Sequence, residues 1–246
     1  MATLSPGMTV KEISCKIVSG VAPLSTVLPK PITSTTALSA LSALSAMRYI
    51  LFILSLFIAS PAAHAAGTIL VFGDSLSAGY GIRTEQSWPM LLDQRLKQKR
   101  LDYSVANLSI SGETTAGGRS RFNEAVNLHQ PRVVVIALGA NDGLRGLPLT
   151  QMRGNLEAMV ETAQAAGARV LLIGMRLPPN FGPYADAFHE SFHAVAKRRK
   201  TLLLPFLLEP VATRPKLFQA DQLHPTAEAQ PLLLDHVWPA LLPLLK

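Results

Sequence analysis

One apolar stretch constrains the fold of this chain more than any other feature. After Arg132, residues 133–138 are all apolar, with three valines and an isoleucine at the centre. A strand with one face in water alternates apolar and polar residues, whereas a strand of a parallel sheet is covered by helices on both faces and is apolar throughout. The stretch therefore predicts an inner strand of a parallel sheet.

Predicted strands and helices alternate along the chain on both sides of this stretch. Strands are predicted at residues 68–72, 103–107, 132–138, 169–173 and 202–205, and helices at residues 88–100, 120–128, 150–166, 184–200 and 226–245. Such alternation is typical of a strand–helix–strand fold. We therefore expect a three-layer α/β/α sandwich with a mostly parallel central sheet.

The N-terminal region divides into two segments ahead of one expected domain. Residues 1–46 are rich in Ser, Thr, Pro and Ala, and we expect them to be disordered or to precede the natural start at Met47. Residues 47–65 contain a basic residue, an apolar run and small residues at 63 and 65, which are the parts of a secretory signal. The apolar run is far shorter than the roughly 20 residues that span a bilayer. We expect cleavage after Ala65 and a periplasmic or secreted domain at residues 66–246.

Charge and cysteine content exclude two classes of function. The net charge of +7 for the 246 residues falls to +4 beyond residue 65, where 19 Lys and Arg face 15 Asp and Glu. This balance is too modest to indicate a nucleic-acid partner. The only cysteine, Cys15, lies in the upstream segment. We therefore expect neither a disulfide nor a cysteine nucleophile in the mature domain.

Four polar clusters follow predicted strands or precede the last predicted helix. They lie at residues 73–77, 111–113, 139–142 and 221–225. In a parallel sheet, functional sites form beyond the carboxyl ends of the strands. We therefore expect the four clusters to meet at one edge.

The residue types in these clusters suit acyl transfer. A serine hydroxyl needs a base to take its proton, and a third group to hold that base, so we expect Ser75, His224 and Asp221 to form a triad. Acyl transfer also requires donors for the developing oxyanion. The candidates are the backbone N–H groups of Ser75 and Gly112 and the side-chain amide of Asn141.

These clusters resemble the Ser, Gly, Asn and His blocks of the SGNH (GDSL) hydrolase superfamily. They occur in the family's order, and residues 73–80, 138–146 and 176–182 are similar to its bacterial periplasmic thioesterase I/lysophospholipase branch. Ala140 departs from that pattern, since close relatives often have Gly there. The resemblance implies a flavodoxin-like sandwich, hydrolysis of acyl esters and thioesters, and no metal or cofactor. We expect a monomer that acts on small molecules and has no membrane span after signal cleavage.

The loops near the predicted triad indicate the substrate. Five residues are expected to bind it: Leu144, Leu147, Leu177, Pro178 and Phe181. An apolar wall suits a linear acyl chain, because each buried methylene contributes roughly 0.8 kcal/mol. The alternative is a carbohydrate acetyl-esterase of the same superfamily.

A second motif favours a different enzyme. His189, Glu190 and His193 match the H-E-x-x-H pattern of zinc peptidases, with Glu190 as general base. The apolar stripe of that predicted helix runs through Tyr184 and Phe188, which places both histidines beside it. A zinc peptidase is therefore the less favoured hypothesis.

Overall fold

The computed structural model describes residues 67–246. The predictions for residues 1–46 and 47–65, and the cleavage site after Ala65, lie outside the described residues. The strands are β1 (Gly67–Gly73), β2 (Tyr103–Asn107), β3 (Val133–Ala137), β4 (Arg169–Ile173) and β5 (Leu202–Leu204). The helices are α1 (Ser75–Ala78), α2 (Trp88–Gln98), α3 (Thr115–His129), α4 (Ala140–Leu144), α5 (Leu149–Ala165), α6 (Pro183–Arg199) and α7 (Gln230–Leu241).

The five strands form one sheet in the order β2-β1-β3-β4-β5, and every neighbouring pair is parallel. This is the flavodoxin-like strand order. The predicted three-layer sandwich with a parallel, flavodoxin-like sheet is therefore confirmed. All carboxyl ends point to the same edge, where the loops after β1, β2, β3 and β4 emerge.

Strand β3 shows why the sheet needs apolar residues on both faces. Val133 and Val135 belong to a core layer that includes α2 and α7, whereas Val134 and Ile136 belong to a second layer with α3, α5 and α6. All four side chains are fully buried. Burial of each such side chain stabilises the fold by about 1.5–3 kcal/mol.

The short helices α1 and α4 were not predicted from the sequence, and two of the predicted helices differ from the prediction by more than two residues. Helix α3 begins at Thr115, not at residue 120, and is capped by the Thr114 side chain, which accepts from the N–H of Gly117. Gly118 packs so closely on Leu138 that a Cβ would overlap that side chain. The glycines in its first turns hide the helix from a propensity argument. The predicted helix at 226–245 is α7 flanked by 3-10 turns at Ala227–Ala229 and Leu242–Leu245. Pro243 lacks the N–H that would continue α7.

The described helices are all short or only partly apolar. Within residues 67–246, no helix combines the length and apolarity that crossing a bilayer requires.

Candidate active site

Ser75 lies at the junction of β1 and α1, at the carboxyl edge of the sheet. Asp74 caps the helix, since its Oδ1 accepts a hydrogen bond from the N–H of Leu76 at 3.1 Å. Gly79 ends the helix in the left-handed region, with φ of 78°. This one-turn helix places the half-buried Ser75 at its first position.

The cap residue Asp74 is itself unusual, because it is only 2% exposed. Burial raises its pKa from 3.8 to about 7, and the carboxylates of Asp142 and Glu113 act in the same direction. The hydrogen bond from Leu76 opposes this shift. Asp74 thus organises the start of α1.

Three side chains form a continuous hydrogen-bonded row at this edge. His224 Nε2 lies 2.9 Å from Ser75 Oγ, and His224 Nδ1 lies 2.7 Å from Asp221 Oδ2. Hydrogen bonds from the backbone and side chain of His224, and from the backbone of Leu223, lower the pKa of Asp221 to about 2. An ionised carboxylate can only accept, so Nδ1 carries the proton and Nε2 is left to accept from the serine hydroxyl.

A tight turn brings Asp221 and His224 together. Asp221 Oδ1 accepts from the backbone N–H of Leu223 at 2.9 Å and of His224 at 3.0 Å. Gln222 adopts φ of 55° between them. The turn closes where Gln219 N–H donates to the His224 carbonyl at 2.8 Å. The imidazole is thus fixed by its own turn, without a separate strand.

Gly112 and Asn141 lie across the same cavity from this row. Gly112 has φ of 80°, and its carbonyl accepts from Arg145 Nη2 at 3.0 Å. Asn141 Nδ2 donates to the carbonyl of Glu113 at 3.0 Å, which orients the amide and leaves its second proton for another acceptor. The structure therefore brings four residues of the predicted triad and oxyanion site to one cavity: Ser75, Gly112, Asn141 and His224. Asp221 does not line the cavity and contacts His224 instead.

Asp142 joins helix α4, which carries Asn141, to Thr115, which follows the segment of Gly112. This buried carboxylate accepts from the backbone N–H of Thr115 at 2.8 Å and from its hydroxyl at 2.6 Å. Asn155 Nδ2 donates to the same hydroxyl at 3.1 Å. Asp142 therefore links α4, which carries Asn141, to the start of α3.

A cavity of about 720 Å³ opens beside Ser75. Three of the predicted substrate residues line it: Leu144, Leu177 and Pro178. Leu147 and Phe181 do not: the Leu147 carbonyl is held by the Tyr184 hydroxyl at 2.7 Å, and Phe181 closes a 3-10 turn. These two residues therefore lie outside the lining of the cavity, in contrast to the expected substrate wall.

The apolar wall also contains residues that the sequence analysis missed. They are Tyr80, Met175, Phe206, Leu208, Phe218 and Leu223. Most of them belong to the segment between β5 and α7, which has little regular structure. A segment without periodicity gives no signal for which side chains face a cavity. Tyr80, by contrast, belongs to residues 73–80, on which the resemblance to the family was based.

The two histidines of the H-E-x-x-H motif lie on α6, outside the cavity lining. Their ring centroids are 5.1 Å apart, and His189 Nδ1 lies 3.2 Å from the carbonyl of Met175. Within residues 67–246, no three His, Cys, Asp or Glu side chains are grouped so that they could hold a metal ion. The motif therefore has no third protein ligand in that range.

A serine, a histidine and a carboxylate aligned at the strand ends of a parallel α/β/α sandwich, beside an apolar cavity, define the class as a hydrolase of carboxylic esters. Comparison with known proteins agrees. Esterase TesA of Pseudomonas aeruginosa is 50% identical over 182 residues, which cover 74% of this chain and 90% of that protein. Thioesterase 1/protease 1/lysophospholipase L1 of Escherichia coli is 42% identical over 183 residues, 74% of this chain and 86% of that protein.

A solved structure shows the same fold. The psychrotrophic esterase EstA from Pseudoalteromonas, inhibited by monoethylphosphonate, matches with a TM-score of 0.70 and 39% identity, covering 72% of this chain and 97% of that one. The model of the GDSL-like Lipase/Acylhydrolase family matches residues 71–231. The chain belongs to this family. The resemblance seen in the sequence and the class of ester and thioester hydrolase are thereby confirmed.

Proposed function

We propose that this enzyme cleaves acyl esters and thioesters through a covalent acyl-serine, with Ser75 as nucleophile, His224 as general base and Asp221 as the group that orients it. The observation that carries the proposal is the hydrogen-bonded row from Ser75 Oγ to His224 Nε2 and from His224 Nδ1 to Asp221. In this row the nucleophile, the base and the orienting group stand in hydrogen-bond reach.

The reaction has two halves. In the first, Ser75 Oγ bonds to the acyl carbon while its proton moves to His224 Nε2, and the alcohol or thiol then leaves with that proton. In the second, water attacks the acyl carbon and gives its proton to His224, which returns it to Ser75 Oγ as the carboxylic acid departs. Asp221 stays ionised and stabilises the imidazolium that forms in each half.

The oxyanion of each tetrahedral intermediate is bound, in this proposal, by the N–H groups of Ser75 and Gly112 and by the Asn141 amide. Ser75 is the first residue of α1, where an N–H has no partner within the helix. Gly112, with φ of 80°, lets the backbone approach the substrate. Donors fixed in advance stabilise the developing charge without reorganisation.

The cavity supports an acyl chain as the recognised part of the substrate. Its wall combines Leu144, Met175, Leu177, Phe206 and Leu208 with few polar groups. The names of the relatives include esterase, thioesterase and lysophospholipase. We therefore favour esters, thioesters and lysophospholipids over acetylated sugars, which require many hydrogen-bonding groups. This preference is tested by measuring kcat/KM for p-nitrophenyl esters and acyl thioesters from acetyl to medium chain length, and kcat/KM should rise along the series. A maximum at acetyl, with turnover of acetylated sugars, contradicts the preference.

Replacement of Ser75 by Ala tests the mechanism. Ser75→Ala should abolish ester hydrolysis and labelling by a fluorophosphonate, because both need the hydroxyl as nucleophile. Ser120→Ala is the matched control, since Ser120 is an exposed serine on α3 that donates to the Gly117 carbonyl. Turnover of Ser75→Ala near the wild-type rate contradicts the assignment.

Export is the remaining part of the proposal, and it concerns residues outside the described range. The signal-like composition of residues 47–65 supports a mature periplasmic or secreted enzyme that begins at Ala66. N-terminal sequencing of the exported protein tests this. Recovery of residues 1–46 on the mature enzyme contradicts both the cleavage site and the start at Met47.

A further inference from the structure

We infer that Gln219 is a positioning residue that holds His224 against Ser75, acting through Tyr80. The inference rests on the proposed function, since it presupposes that His224 serves Ser75. Gln219 does not line the cavity and so makes no direct contact with the substrate, whereas Tyr80 does line it.

Gln219 binds both segments that carry the reacting groups. Its Nε2 donates to the carbonyl of Tyr80 at 2.7 Å and to the carbonyl of Pro225 at 3.1 Å. Its backbone N–H donates to the carbonyl of His224 at 2.8 Å. Tyr80 follows the short helix that begins at Ser75, and Pro225 follows His224. One amide group thus joins the nucleophile segment to the base segment, and both of its protons are used.

Tyr80 extends this link to the imidazole itself. Its ring lies 4.5 Å from the ring of His224, centroid to centroid, at an interplanar angle of 40°. Although 52% of Tyr80 is exposed, the bond from Gln219 to its carbonyl fixes the backbone from which the ring projects. The ring covers one face of His224, and an aromatic face attracts the positive charge that the imidazole acquires when it takes the serine proton.

The backbone at Gly81 is shaped around the same carboxamide. Gly81 has φ of 74°, and a Cβ there would overlap the Oε1 of Gln219. The absence of a side chain at this position is what lets the amide reach the Tyr80 carbonyl. Gly81, Gln219 and Tyr80 therefore form one packed unit beside His224.

Gln219→Met tests the inference, because it keeps the length of the side chain and removes both donors. We expect kcat for a p-nitrophenyl ester to fall about ten- to a hundredfold, since a small displacement of a catalytic group is costly. KM should change less than kcat, because the substitution removes no side chain from the cavity wall. The second-order rate of fluorophosphonate labelling at Ser75 should fall by the same factor as kcat, since both depend on activation of the serine.

Gln164→Met is the matched control. Gln164 also donates from Nε2 to a backbone carbonyl on another element, that of Arg199 at 2.9 Å, but it lies near the end of α5, away from the cavity. This variant should retain wild-type kcat and labelling rate. Gln219→Glu provides a second test if the methionine variant does not fold, since it keeps the shape of the side chain and also lacks both donors.

Two further measurements separate positioning from a general loss of stability. The downfield proton signal of His224 Nδ1 should broaden in Gln219→Met through faster exchange with water, at a temperature well below the unfolding midpoint. In a double-mutant cycle with Tyr80→Leu, the losses of kcat should be less than additive, because Gln219 acts through Tyr80.

The outcomes distinguish this inference from the proposed function. If hydrolysis does not depend on Ser75, the proposed function is wrong. If hydrolysis depends on Ser75, but a folded Gln219→Met or Gln219→Glu keeps kcat and labelling rate within twofold of wild type, Gln219 does not position His224. Additive losses with Tyr80→Leu would also overturn the route through Tyr80.

Discussion

Replacement of Asp74 by Asn should change how the free energy of unfolding depends on pH. Burial raises the pKa of Asp74 from 3.8 to about 7 in the folded enzyme. Between these two pH values the folded state keeps a proton that the unfolded state has lost. The free energy of unfolding therefore falls as the pH rises through this window, and this contribution levels off above about pH 7.

The size of the effect follows from the two pKa values. They differ by about 3, and each pKa unit corresponds to 1.36 kcal/mol, so ionisation of Asp74 destabilises the wild-type enzyme by at most about 4 kcal/mol at pH 8 relative to pH 4. Asn cannot ionise, yet its Oδ1 can accept the hydrogen bond that Leu76 N–H donates to Asp74. Asp74→Asn should therefore not show this decrease in the free energy of unfolding.

Urea denaturation at several values between about pH 4 and pH 8 measures the difference. The free energy of unfolding of Asp74→Asn minus that of wild type should rise with pH by up to about 4 kcal/mol. Glu124→Gln, which removes an exposed carboxyl from α3, should give a nearly flat difference. If the Asp74→Asn difference is equally flat, burial does not raise the pKa of Asp74 and the reasoning is refuted.

Four other predictions concern catalysis. Asn141→Ala should lower kcat about 10²- to 10³-fold with little change in KM, and a change confined to KM would make it a binding residue. Because hydrogen bonds lower the pKa of Asp221 to about 2, the pH profile of kcat/KM should show no ionisation of this carboxyl between about pH 4 and pH 5; an ionisation there that Asp221→Asn removes would count against this. EDTA should leave activity unchanged, whereas a loss restored by zinc would favour the motif at His189. Leu177→Trp should lower kcat/KM for medium-chain esters more than for acetyl esters, since the larger side chain fills the cavity; equal losses would place the acyl chain elsewhere.

The sheet could be predicted because each strand carries its own evidence. The strands at 103–107 and 169–173 were predicted with the bounds that the structure shows. Residues 170–173 form the continuous apolar run that burial on both faces favours, whereas 103–107 is an edge strand with no fully buried residue and a weaker pattern. The polar clusters were brought together by one further rule, that parallel strands end at the same edge. Ser75, Asn141 and His224 could therefore be assigned to one site without knowing how the side chains pack.

The parts that were missed depend on contacts between distant segments. Phe206 and Phe218 face the cavity only because the path from β5 to α7 folds back over the strand ends. Gln219 has no periodicity or motif that marks it, and its partners Tyr80 and Pro225 are identifiable only in three dimensions. The prediction began helix α3 at residue 120 because glycine has a low helix propensity. The contact of Gly118 with Leu138, which offsets this propensity, is visible only in the structure.

The serine and the histidine of the site are 149 residues apart in the chain. Strand β5 ends at Leu204, so a polypeptide that stops there contains every strand of the sheet and Ser75, but lacks Asp221 and His224. In the proposed mechanism such a polypeptide has no base to take the serine proton. Synthesis must therefore pass residue 224 before an ester can be hydrolysed, and a truncation before Asp221 would remove activity while leaving all five strands in the chain.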